Sequence, residues 1–141
     1  MVQFYFLSIV VNILGGLALA SEYLEERVPS LSGIKSFFDG KAGIRVSIGV
    51  VAVVTGVLKL LSVTKGDVPV IGDFIPAISS LLGGTALLFE RYKEKSTLPP
   101  DSETGVAGAV DRVVLKNQNI VGSASIIVGL LHFLIPGVLF L

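Results

Sequence analysis

Residues Gly43–Leu61 read GIRVSIGVVAVVTGVLKLL, nineteen positions whose charged side chains are Arg45 near the start and Lys59 near the end. A helix rises about 1.5 Å per residue, so a run of this length matches a hydrocarbon core about 30 Å thick. Its apolar residues do not alternate with polar ones, as the lumen and lipid faces of a barrel strand would require. Inside lipid the backbone must satisfy its own hydrogen bonds, which leaves a helix. Working outward, three more runs meet the same length, about Val2 to Ala20, Val68 to Phe89 and Ile120 to Leu139. The expected fold is an all-α integral membrane protein in which residues 1–141 form one membrane domain of four transmembrane helices.

Composition agrees with that reading. Of 141 residues, 52% are hydrophobic and 16% are charged, and the mean hydropathy is +0.82. Soluble domains average about 45–50% apolar and about 25% charged residues. The shift argues against a soluble enzyme and against a disordered chain. Eleven Lys+Arg balance eleven Asp+Glu, so no net charge calls for a nucleic-acid partner. Without cysteine there is neither a disulfide nor a thiolate site.

The first run ends in Ala18-Leu19-Ala20, which has the small residues of a cleavage site, but no Lys or Arg precedes it. It lacks the basic start of a secretory signal and is expected to remain as a helix. Basic residues then set the orientation, because Lys and Arg concentrate in cytoplasmic loops. Arg27, Lys35, Lys41, Arg45, Arg91, Lys93, Lys95, Arg112 and Lys116 lie in the first and third loops, against Lys59 and Lys65 on the other side. The expectation is a cytoplasmic (inner) membrane location, with the long loops cytoplasmic and the N- and C-termini outside.

The two halves resemble each other. Leu14–Leu19 with Glu22 and Glu26 aligns with Leu82–Leu87 with Glu90 and Glu94, and Gly49, Gly56 and Lys59 align with Gly122, Gly129 and His132. The pattern predicts two tandem repeats, about 1–66 and 67–141. Each holds an even number of helices, so both copies share one orientation, about an axis along the membrane normal. Each long loop is expected to carry a short amphipathic, interfacial helix. Its apolar face would be Leu31, Ile34, Phe37 and Phe38 in the first, and Val106, Ala109, Val110, Val113 and Val114 in the second. The other reading has these segments packing on the bundle's own end.

In lipid, helices associate by close backbone approach at small residues. Gly15, Gly16, Gly49, Gly56, Gly83, Gly84, Gly122 and Gly129 recur at helical spacing and are the expected packing seams. Glycines seven apart return to nearly the same face, drifting about 20° per heptad. Polar residues within the runs are few. Asn12, Thr55, Lys59, Asp73, Ser79, Ser80 and His132 are the candidates for a polar pocket or pathway. Ionisable residues inside a span usually pair or border water. The plainer account has Lys59 reaching outward to the headgroups, Asp73 at the water boundary and His132 neutral and hydrogen-bonded.

Catalytic patterns do not occur. One histidine and no cysteine cannot build a typical zinc site. There is no phosphate loop, nucleophile elbow, metalloprotease helix or dinucleotide turn. No metal, cofactor or enzymatic activity is expected. The first expectation for function is a self-assembling membrane subunit or scaffold, its partners the lipid bilayer, copies of itself or other membrane subunits. The alternative is a homo-oligomeric channel or small-solute transporter with its pathway along the Gly, Ser and Asn seams.

Overall fold

The computed structural model describes residues 2–61, 74–96 and 105–135. Every element among them is helical. The candidate Asp73 lies outside these residues, as does Lys65 of the second loop.

Helix α1, Val2–Leu19, contains no proline and ends at Ala20, where the axis turns by 76° into α2, Ser21–Arg27. Glu22 in the first turn and Arg27 in the last turn of α2 complement its dipole. A 3₁₀ turn, Pro29–Leu31, follows. Gly33 then adopts a left-handed φ of 92°, which costs other residues a Cβ clash, and starts α3, Ile34–Asp39. Helix α4 is Ala42–Leu61. Helix α5, Phe74–Lys95, carries Pro76 in its first turn, where no i−4 hydrogen bond is lost. Helix α6, Val106–Val110, runs on into a π turn, Asp111–Leu115, and the axis bends by 71° into α7, Gln118–Leu134.

The main packing joins α1 to α7 and α4 to α5, while α1 also meets α4 and α5, and α5 meets α7. Contact pairs fix the directions. Gly15 lies by Ile48 and Tyr5 by Lys59, so α1 and α4 are antiparallel. Asn12 meets Ser80 and Leu19 lies by Gly83, so α1 and α5 run the same way.

Close approach explains the two strongest pairs. A methyl group on Gly16 would stand 2.4 Å from the Gly122 carbonyl oxygen, and one on Gly84 would stand 2.7 Å from that of Gly49. Backbones touch at these points, so any side chain there would push the helices apart. Gly56 meets the Ala77 carbonyl and Leu81 in the same manner, and Gly129 meets the Ile9 carbonyl and Ile13. Gly15 and Gly83 differ: their nearest neighbours would be 3.8 and 3.7 Å from an added Cβ, an ordinary contact.

One end of the bundle is closed by apolar side chains. Ala18 and Leu19 of α1, Ala86 and Leu87 of α5, Phe38 of α3 and Val114 of the π turn form one buried cluster. The loop segments therefore seat themselves on the bundle through Phe38 and Val114. Phe37, expected on the same face as Phe38, is instead 49% exposed, with the Lys41 ammonium over its ring. Consecutive helical residues lie about 100° apart, so one can point inward while the other does not. Leu31 belongs to the 3₁₀ turn and is separated from α3 by the turn at Gly33. In the other segment Val106 and Val113 stay exposed while Val114 is buried.

The outward faces of the long helices are mainly apolar, while exposed charges such as Glu22, Arg27, Lys41, Glu94 and Lys116 lie in the loop segments and at the end of α5. Phe6, Val50, Val54, Val57, Leu61, Ile120, Ile127 and Phe133 are exposed, whereas Ser8, Asn12, Thr55, Lys59, Ser80, Ser125 and His132 are buried. Gly43–Leu61 of α4 is long and apolar enough to cross a membrane. The bent pairs Gln3–Leu19 with Ser21–Arg27 and Val106–Leu115 with Gln118–Leu134 also qualify if each is one span, giving up to three among the described residues. Helix α5 does not reach that mark. It is described only from Phe74 and runs on through the charged stretch Glu90–Lys95.

Candidate functional site

The buried polar side chains lie along the bundle interior, and helical spacing puts them there. Tyr5, Ser8 and Asn12 recur at three and four residues, one face of α1, as Thr55 and Lys59 do on α4. Because Gly15 is level with Ile48 and the helices are antiparallel, Ser8 and Thr55, each seven residues further on, share one level. Lys59 and Tyr5 occupy the level beyond, and Asn12 that on the other side.

At the outermost level, Lys59 Nζ lies 3.0 Å from His132 Nε2. Which of the two nitrogens donates in this contact follows from the ring tautomer, because an imidazole nitrogen donates when it carries the proton and accepts when it does not. The Tyr5 hydroxyl donates to the His132 carbonyl, the two rings lie 4.4 Å apart, and Lys59 Nζ is 5.8 Å from the Tyr5 ring centroid. Lys59 does not reach outward from the helix end. It is 5% exposed and turned into the bundle.

The Asn12 amide sits deeper. Its Nδ2 donates to the Ser8 carbonyl at 2.9 Å, to Ser80 Oγ at 2.9 Å and to the Pro76 carbonyl at 3.2 Å, tying α1 to α5. Ser79 Oγ donates to Ser125 Oγ at 3.0 Å, tying α5 to α7. Two buried oxygens, Asn12 Oδ1 and Thr55 Oγ1, have no hydrogen-bond partner among the described residues. Below Asn12 the interior becomes apolar, ending in the Leu19, Leu87, Phe38 and Val114 cluster. The column is thus polar toward one end and closed at the other.

Beyond the closed end lies a ring of ion pairs. Arg45 bonds Asp39 at 2.9 Å and Glu90 at 2.5 Å, and Lys93 bonds Asp111 at 2.5 Å, fastening α5 to the segment before α7. Burial holds the Glu90 carboxyl above its ordinary range, against the pull of the Arg45 guanidinium. No group of three or more His, Cys, Asp or Glu among the described residues could hold a metal ion.

Of the candidates read from sequence, the structure joins Asn12 to Ser80 and Lys59 to His132, sets Thr55 between those levels, and turns Ser79 toward Ser125. Tyr5 was not among them. Its signal was its position, three residues before Ser8 and seven before Asn12 on the same helical face. The Pro76 carbonyl had no such signal, because proline at a helix start exposes only backbone.

No curated protein and no solved structure matches the chain. A family model without an assigned function matches residues 1–132, and the chain belongs to that family.

Proposed function

We propose that the chain is a four-span membrane protein, two tandem copies of a helix pair, whose interior binds and passes a small solute. One observation carries this reading: a line of buried polar groups, from Lys59 and His132 through Ser8, Thr55, Asn12 and Ser80, inside a bundle whose long helices turn mainly apolar side chains outward. Water as solvent favours the opposite distribution. In lipid, buried ionisable residues usually serve a pathway or a site.

The contacts also support the duplication. Moving α1 residues by 68 positions and α4 residues by 73 turns the Gly16–Gly122 contact into Gly84–Gly49, and the Gly129–Ile13 contact into Gly56–Leu81. Each copy thereby crosses over, its first helix packed on the second helix of the other. This suits a two-fold axis along the membrane normal, with both copies facing the same way. The long loops are the cytoplasmic side in this reading, by their lysines and arginines. Phe37, Val106 and Val113 are then the side chains facing the headgroups.

Assembly into a scaffold has less support, because Gly16, Gly49, Gly56, Gly84, Gly122 and Gly129 all meet backbone of the same chain. The test is reconstitution into liposomes, with solute flux and oligomeric state measured on wild type and Asn12→Leu. The expected result is flux in wild type that Asn12→Leu abolishes without changing the oligomeric state. A wild type that passes nothing, with assembly altered by Asn12→Leu, would leave the self-assembling subunit instead.

A further inference from the structure

Resting on that proposal, the geometry points to a small uncharged hydrogen-bond donor, such as water or urea, as the solute class, engaged by Asn12 Oδ1 and, one level on, by Thr55 Oγ1. Asn12 Oδ1 and Thr55 Oγ1 are each at most 2% exposed and have no partner among the described residues. Both carry lone pairs. A carbonyl or hydroxyl oxygen left without a donor in a dry interior is costly, so such atoms mark where a donor binds. The orientation of the amide is fixed, since its hydrogens already point to Ser8, Ser80 and Pro76. Oδ1 is therefore the atom left for a guest.

Charge decides the class. A cation stripped of water needs a counter-charge or a full shell of oxygens. The buried polar side chains of the described residues are serines, Asn12, Thr55, Lys59 and His132, with no carboxylate among them. An anion would face the lone pairs of Oδ1 at this level, with the amide hydrogens already engaged. An uncharged molecule bearing N–H or O–H groups meets neither obstacle.

The experiment is stopped-flow light scattering of proteoliposomes under water and urea gradients, with sodium and chloride currents recorded on the same preparation. Wild type should raise water or urea permeability several-fold over empty vesicles and carry no current. Thr55→Val keeps shape and removes the hydroxyl, so it should return permeability toward that of empty vesicles. Thr55→Ser should restore it. If Thr55→Val raises the thermal midpoint and leaves permeability unchanged, the oxygen is only an unsatisfied group and the inference fails. Sodium or chloride current blocked by Asn12→Leu, with no water or urea flux, would overturn the solute class while keeping the pathway. Absence of flux for all four probes would remove both.

Discussion

Asn12 shows how much one amide can do in an apolar helix. With the Ser8 carbonyl on its own helix and Ser80 and Pro76 on α5, it fixes both the distance and the register of two parallel helices. Interhelical hydrogen bonds in lipid contribute about 0.6–2 kcal/mol each. Asn12→Leu is expected to lower unfolding stability in detergent by about 1–2 kcal/mol. Ser47→Ala, which loses a bond to the Gly43 carbonyl on an exposed face, should stay within about 0.5 kcal/mol of wild type. A denaturant titration of both variants decides. Asn12 stood out in the sequence because its neighbours are apolar, and the 68-residue offset that carries Leu14 to Leu82 makes Ser80 its equivalent in the second half. What the alignment could not give was the direction of Lys59. Near a helix end its stem can run outward to the headgroups or inward, and only the His132 and Tyr5 groups brought near by folding decide that it runs inward.

At the scale of the element, neighbouring glycines behave differently. Gly16→Ala places a methyl group against the Gly122 backbone, and such overpacking costs about 1–3 kcal/mol. Gly15→Ala meets nothing closer than 3.8 Å and gains helix propensity, so it should be neutral or stabilising by up to about 1 kcal/mol. Thermal unfolding of the two variants side by side checks the opposite signs. Both glycines occur as a pair in the sequence, and composition cannot tell which one touches, because a rotation of about 100° separates them. The end of α5 offers a second test. Glu90 holds its proton more tightly when folded than when unfolded. Its contribution is therefore fully present below the ordinary carboxylate value and is lost as pH rises through the folded one. Wild type should lose stability relative to Glu90→Gln over that window. Parallel melting curves from acid to neutral pH would reveal the divergence, and parallel profiles would refute it.

At the scale of the molecule, the run lengths made an all-helical chain legible, with Gly43–Leu61 long and apolar enough to cross a membrane, and the glycine heptads made close packing legible. The choice of partners was not, since every glycine-bearing face is a plausible mate for every other until α1 is seen on α7 and α4 on α5. The proposed arrangement in the membrane can be checked directly because the chain has no cysteine. An impermeant thiol reagent added outside intact cells should modify Lys65→Cys and spare Phe37→Cys and Lys95→Cys until the cells are opened. The reverse pattern would invert the orientation.

The choice of α7 as the chief neighbour of α1 has an effect on synthesis. A ribosome finishes α1 at Leu19, yet the Gly122 surface it needs is not made until α7, which begins at Gln118, emerges. Helix α1 meets α4 and α5 in the meantime, but a chain stalled before Gln118 would leave the Gly16 face of α1 uncovered, where quality-control proteases can seize it.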